Sequence, residues 1–338
     1  MKKQLIYITL FLIQALFFSC EKNNEVLNDG VSYMQLNTRT GGDGSSDNPC
    51  FIFWKMSDFN ASGFNDDPTD PLVYSLPGGM IDDYNVSKIK YNTREIYPSL
   101  PEWVYAVGVS PASIPGADPQ DWKTFDIDPE IAGLIDIQCA PVISGNEQDH
   151  FSEPLRFTHQ LTKLQFKGYC GESMWESDTK HINVKKVTIT LRSDMGADQW
   201  ELFPEKLTWA HGSIGVGQYR VSSYSTDPAE SLKANLPILG EIPGNTTYAG
   251  ALSIGSLYLV PGFKDIVIEL KATYEDTTDD EKTTIVREWT EFLIKNIGED
   301  THSNETKAGY SYAIYIGFEK RRIVLDAVVE PWPNDINN

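Results

Sequence analysis

Tyr310-Ser311-Tyr312-Ala313-Ile314-Tyr315-Ile316-Gly317-Phe318, the turn Glu319-Lys320-Arg321-Arg322 and then Ile323-Val324-Leu325-Asp326-Ala327-Val328-Val329-Glu330 decide the fold class. In the first run Tyr310, Tyr312, Ile314, Ile316 and Phe318 take alternate positions, against smaller or more polar residues between them. In the second, Ile323, Leu325, Ala327 and Val329 alternate with Val324, Asp326, Val328 and Glu330. Successive side chains of a strand point to opposite faces, so each run has one core face, and the pair predicts an antiparallel hairpin. Working outward, runs of the same kind recur between Gly, Pro, Asn and Asp. They are Phe51 to Trp54, Trp103 to Val107, Lys185 to Leu191, Leu257 to Pro261, Ile266 to Tyr274 and Ile285 to Ile294. Such spacing predicts antiparallel sheets packed as sandwiches. No stretch sustains a period near 3.6 with caps, so helices are expected to be few and short.

The run Leu155 to Phe166 carries a second signal. Leu155, Phe157, His159 and Leu161 keep a period of two, and Leu164 and Phe166 resume it in the opposite phase. One extra residue near Thr162-Lys163 produces that change, so a β-bulge is predicted there. The loop Ser144 to Glu153, rich in Gly, Asn, Gln and Asp, is read as a domain boundary.

The chain has 338 residues, 41% hydrophobic and 12% aromatic, which suffices for two domains with real cores. Its formal charge of −20 argues against nucleic acid or an anionic membrane surface as partner and suits a soluble exported protein. At the front, Lys2-Lys3, the apolar run Leu5 to Phe18 and Ser19-Cys20 have the layout of a secretory signal peptide. The apolar run is short for a membrane-spanning helix. A cysteine directly after the small residue marks a lipoprotein signal with Cys20 as the lipidated residue, although Phe17 stands where such signals usually carry Leu. Residues 21–30 read as a polar tether, Val31 to Leu36 as a short strand, and Asn37-Thr38-Arg39-Thr40-Gly41-Gly42 as an exposed segment with a basic residue. Cys50, Cys139 and Cys170 fit neither a disulfide framework nor a metal knuckle. Three buried thiols are favoured, with one disulfide as the alternative.

Taken in order, these features resemble the fimbrillin family, the fimbria subunits of anaerobic gut and oral bacteria. The resemblance rests on the lipoprotein start at Cys20, the Thr38-Arg39-Thr40 segment, and Phe157-x-His159-x-Leu161-x-Lys163-Leu164-x-Phe166. It continues in Leu257 to Pro261 and in the closing hairpin from Ala308 to Trp332. It implies an all-β fold of two consecutive transthyretin-like antiparallel β-sandwich domains. The division is then signal peptide 1–19, tether and removable first strand 20–39, and domains 40–153 and 154–338. It also implies a lipidated precursor at the outer membrane, cut by an arginine-specific protease at Arg39-Thr40. That cut removes the strand carrying Val31, Tyr33 and Leu36. Other subunits are the implied partners, with Ile323, Leu325, Ala327 and Val329 as donor strand. The ending at Asn338 is short for a donor, which leaves stalk, tip and anchor positions open.

The physics of the cut stands without the family. Removing a strand leaves unpaired N–H and C=O groups and an apolar groove, a template for a strand from a neighbour. Such head-to-tail contacts grow a filament.

The remaining residues read more plainly. His159 is expected to be a satisfied core histidine, and His150, His181, His211 and His302 share no ligand spacing. Asp66 to Asp70 and Glu275 to Glu281 read as solvated turns rather than calcium loops. Most of the tryptophans are expected in the core; a sugar-stacking platform on exposed ones is the basis of an alternative, a glycan-binding surface lipoprotein. No nucleophile elbow, metalloprotease helix or phosphate loop occurs, so neither enzyme, cofactor nor metal is expected. A hydrolase is the least favoured reading.

Overall fold

The computed structural model describes residues 33–39, 50–56, 72–75, 89–111, 113–114, 123–152, 154–193, 199–211, 217–225, 236–237, 241–263, 266–278, 282–294 and 305–332. The first half contributes β1 (Tyr33–Arg39), β2 (Cys50–Met56), β3 (Leu72–Ser75), β4 (Ile89–Ile96), β5 (Trp103–Ser110), β6 (Thr124–Asp126) and β7 (Gln138–Gly145). The middle contributes β8 (Leu155–Arg156), β9 (Thr158–His159), β10 (Thr162–Cys170), β11 (Trp175–Ser177), β12 (Lys180–Ser193), β13 (Pro204–His211), β14 (Gly217–Ser223) and β15 (Leu236–Pro237). Last come β16 (Leu252–Leu259), β17 (Ile266–Asp276), β18 (Thr283–Ile294), β19 (Tyr310–Phe318) and β20 (Ile323–Pro331). The only helical pieces among the described residues are short 3-10 turns at Glu172–Met174, Gln199–Leu202 and Tyr248–Gly250. The fold is all-β.

The strands form sheets in the orders β4-β1-β8, β3-β2-β5-β7-β9, β14-β13-β6, β16-β10-β19-β20 and β11-β12-β17-β18. The five-stranded sheet is covered on both faces, which is why Val104 to Ser110 are all buried. Val104 and Ala106 point to a small core with Tyr97, Ala140, Leu155 and Phe157. Tyr105, Val107 and Val109 point the other way, into the main core. There Phe125, Leu207 and Tyr219 of the β14-β13-β6 layer meet them, with Phe125 and Tyr219 rings 5.4 Å apart. In the C-terminal half, Leu164, Phe166, Ile314, Ile316 and Phe318 face Val187, Ile189, Leu191, Ile268, Leu270 and Tyr274 within that same core. The Tyr274 and Phe318 rings meet edge to face, 6.4 Å apart. Side chains of opposed sheets interdigitate in this way to exclude water, the main source of stability in a sandwich.

The closing hairpin forms as its pattern predicts. Register runs from Tyr310↔Pro331 to Phe318↔Ile323, and the turn is closed by the Glu319 N–H donating to the Arg322 carbonyl at 2.9 Å. Among the described residues two ladders are parallel, β10 with β19 and β1 with β8. Both join strands distant in sequence, where no tight turn dictates direction.

The expected bulged strand from 155 to 166 is corrected. Leu155, Phe157, His159, Leu161, Leu164 and Phe166 are all buried, as their alternation requires. They belong to three separate strands. β8 lies beside β1, β9 beside β7, and β10 between β16 and β19. The phase flips because the chain leaves one sheet and enters another at Gln160–Leu161, so the inward direction itself changes.

Candidate strand-exchange site

β1 occupies the middle of its three-stranded sheet. It pairs antiparallel with β4 at Tyr33↔Ile96 and from Gln35↔Asn92 to Thr38↔Ile89, with a register shift between Tyr33 and Gln35. On its other side it pairs parallel with β8 at Thr38↔Leu155 and Arg39↔Arg156. Arg39 is therefore the last residue of the strand, which corrects the expected end at Leu36: Asn37, Thr38 and Arg39 are paired in the sheet rather than part of an exposed segment. Tyr33 and Leu36 lie within β1, whereas Cys20, Val31 and Thr40 lie outside the described residues.

The two strands that flank β1 are each fastened to the body by contacts that do not involve it. β4 runs directly into Tyr97, which is 5% exposed and part of the small core. The Phe151 N–H donates to the Tyr97 hydroxyl at 3.0 Å, and His150 stacks on the Tyr97 ring at 4.2 Å. Asn146 shapes the loop that delivers these residues. Its side-chain oxygen accepts from the Gln148 and Asp149 N–H groups, both at 2.8 Å, and its own N–H donates to the Asp149 carbonyl. The Glu147 N–H and side chain bond back to the Pro98 carbonyl and the Ser99 hydroxyl.

β8 is held by Leu155 and Phe157, which are 0% and 2% exposed. Phe157 passes so close over β5 that a Cβ at Gly108 would fall 2.3 Å from its ring. An isolated glycine inside a strand is the sequence mark of such a close approach, and at Gly108 that mark was available. Tyr97 and Asn146 carry no comparable mark, since their partners are known only once the chain has folded.

At the other end of the chain, β20 is, among the described residues, an edge strand paired with β19. Of the expected donor residues, Ile323 is buried, Leu325 and Val329 are half-buried and Ala327 is exposed. Val324 and Val328, on the opposite face, are 39% and 42% exposed.

The remaining candidates take structural places. His159 is buried, with its Nδ1 2.7 Å from Asp136 Oδ2. His181 stacks on Trp175 at 4.9 Å. His302 and Asp66 to Asp70 lie outside the described residues, as does the end of the stretch Glu275 to Glu281. Within that stretch, Asp276 accepts from the Thr278 N–H and hydroxyl, a turn between β17 and β18. Trp103, Trp209 and Trp289 pack half-buried against the main core, and Trp332 is 5% exposed. Cys139 and Cys170 are buried free thiols; burial raises both, and Asp136 adds to the effect at Cys139. Among the described residues no three His, Cys, Asp or Glu side chains converge as for a metal ion.

Neither a family model nor a curated protein matches the chain in sequence. Solved structures resemble it in the course of the chain. A candidate cell adhesion protein from Bacteroides uniformis is 14% identical, with a TM-score of 0.48 over 90% of this chain and 99% of that one. A fimbrial protein from Bacteroides vulgatus is 13% identical, with a TM-score of 0.47 over 84% and 92%. The tip fimbrial protein Mfa3 from Porphyromonas gingivalis, truncated at its C-terminus, is 11% identical, with a TM-score of 0.30 over 89% and 99%. The likeness is broad in extent and low in detail. The role assigned next therefore rests on the chain's own strands.

Proposed function

We propose that this chain is a structural and adhesive subunit of a surface fimbria. It is exported as a lipoprotein through Cys20, trimmed between Arg39 and Thr40, and polymerised by insertion of a neighbour's strand between β4 and β8. The two sandwich domains are divided near residue 153, with β8 and β9 reaching back to pair with strands of the first and β13 pairing with β6 across the same division. The observation that carries this reading is the central position of Tyr33–Arg39 between two strands anchored independently of it. Loss of β1 then leaves a slot about 9.5 Å wide, two strand spacings. A replacement strand recovers its backbone hydrogen bonds, each worth about 0.5–1.5 kcal/mol net. Each large apolar side chain it buries adds about 1.5–3 kcal/mol. The described likeness to fimbrial and cell-adhesion proteins agrees with the reading without carrying it.

A second reading within it is a tip or anchor subunit that accepts a strand and donates none. It is favoured by the nine-residue register that β20 makes with β19.

The test is digestion of the purified precursor with an arginine-specific protease, followed by N-terminal sequencing and electrophoresis in mild denaturant. The reading expects a new N-terminus at Thr40, denaturant-resistant ladders from the trimmed protein, and neither from Arg39→Ala. Ladders from Arg39→Ala would refute it. Trimmed protein that accepts a strand peptide yet never forms ladders alone would select the tip or anchor reading.

A further inference from the structure

The strand-exchange reading leaves two residues of the sequence pattern unused, His159 and Trp332, and the fold brings them together. Their rings stack with centroids 3.7 Å apart and planes 18° from parallel. Both are buried, at 4% and 5% exposure. The histidine is held from behind, since Asp136 Oδ2 lies 2.7 Å from its Nδ1 and also accepts from Gln138 Nε2 at 2.8 Å. The Tyr258 ring lies 5.7 Å from the indole, and Lys163 Nζ lies 5.2 Å from the indole centroid. The seat therefore combines Asp136, Gln138 and β9 on one side with β10 and β16 on the other, at the point where the chain changes sheets.

Trp332 directly follows β20, the edge strand expected to be given away. Val324, Asp326, Ala327 and Val328 of that strand are exposed. An edge strand with so little cover has low local stability and is prone to fray. A buried indole at its end opposes fraying out of proportion to its size, because an aromatic pair adds specific attraction to the area it buries. In the strand's middle Leu325 packs half-buried against the main core, and at the surface the Tyr248 hydroxyl donates to Asp326 Oδ2 at 2.9 Å.

We propose that Trp332 is a self-latch. Seated on the His159–Asp136 pair, it keeps Ile323–Pro331 in its own sheet, and it must leave that seat before the strand can pass to another subunit. The idea rests on the strand-exchange reading and adds the step that gates it. A subunit with the latch closed accepts a strand but cannot donate one, so tip-like and stalk-like behaviour become two states of one chain.

Hydrogen exchange on the full-length chain tests the latch without requiring assembly. Trp332→Ala is expected to speed exchange of the Ile323 to Val329 amides about tenfold while Leu164 to Lys167 of β10 stay unchanged. Trp332→Phe, which keeps a flat ring, is expected to stay within about twofold of the parent. Trp332→Leu, apolar but without a flat face, should show the same selective rise at about threefold, and it covers the case in which the alanine variant does not fold. No rise, or an equal rise in β10 and β20, would overturn the latch. A second arm follows ladder formation after proteolysis, where Trp332→Ala should assemble faster than the parent. Equal rates overturn the gating role. If neither protein forms ladders, strand exchange fails while the exchange data still judge the latch.

Discussion

The sheet around β1 and the sheet that ends in β20 solve opposite problems. β1 lies between two partners, and its neighbours are tied down by Tyr97 on one side and by Leu155 and Phe157 on the other. Taking it away leaves a gap with fixed walls. Among the described residues β20 has one partner and a mostly exposed body, so taking it away leaves β19 as a new edge and strips Ile323, Leu325 and Val329 from the rim of the core. A vacancy needs a rigid frame, and a loose strand needs a good grip at one end. The difference teaches that position in the sheet, more than strand length, decides what a strand can do when chains trade segments: β1 has seven residues and β20 nine.

The largest expected effect probes the frame. Phe157→Ala removes the ring that wedges β8 against β5 and is expected to cost about 3–5 kcal/mol in chemical denaturation. Gly108→Ala drives a methyl to within 2.3 Å of that ring and is expected to cost about 1–3 kcal/mol. Adding Phe157→Leu should recover part of the Gly108→Ala loss, since the two residues share one space. Val324→Thr and Val328→Thr on the exposed face of β20 should each stay within about 0.5 kcal/mol of the parent. Comparable losses in the two regions would erase the contrast between frame and free strand.

A smaller effect asks whether losing β1 disturbs the rest. Cys139 belongs to the main core on the far side of the five-stranded sheet from β1, and Cys170 ends β10. Burial pushes the Cys170 thiol up to about 12, and Cys139 is raised as well, so both remain protonated and unreactive where free thiols label readily. The sign follows from the direction. A raised folded value contributes stability fully present below the ordinary thiol range and lost as pH rises toward about 12. Mass spectrometry after iodoacetamide at about pH 8 should find both thiols unmodified before and after trimming at Arg39. Labelling of Cys139 after trimming would mean that the frame melts when β1 leaves.

Much of this was legible in the sequence, and the failures have one cause. Alternation at 310–318 and 323–330 is a local property, and it located the hairpin. Tyr312, Ile314, Ile316, Phe318 and Ile323 are buried as expected, whereas Tyr310 and Ala327 are exposed and Ser311, Ala313 and Gly317 of the other face are buried. Alternation at 155–166 named six residues that are all buried, missed the buried Thr162 and still misjudged the strand. Period two reports which side is apolar and is silent about which sheet that side belongs to, so a change of sheet and a bulge leave the same trace. The position of β1 between β4 and β8 was likewise beyond reach, because both pairings join residues far apart in the chain. His159 showed its burial through its place in the pattern. Its contact with Trp332 shows no local signal, since nothing near either residue specifies the other.

The smallest expected effect sits in the turn that launches β20. Arg322 donates to both carboxylate oxygens of Glu319, and that hydrogen bonding holds the Glu319 carboxyl below its ordinary range. Because the folded value is lowered, the contribution is present above the ordinary glutamate range and is lost as pH falls through the lowered value. The pair is largely exposed, so most of its attraction is screened by water and salt. Arg322→Ala is therefore expected to lower Tm by about 1 °C at neutral pH and to close that gap as pH falls below the ordinary glutamate range. The loss should fall on β20 amides in hydrogen exchange and spare those of β4 and β8, which belong to a different sheet. Acid-dependent loosening of β4 or β8 in step with the turn would mean that the two regions are coupled, and the frame could then not hold its shape while the strand is released.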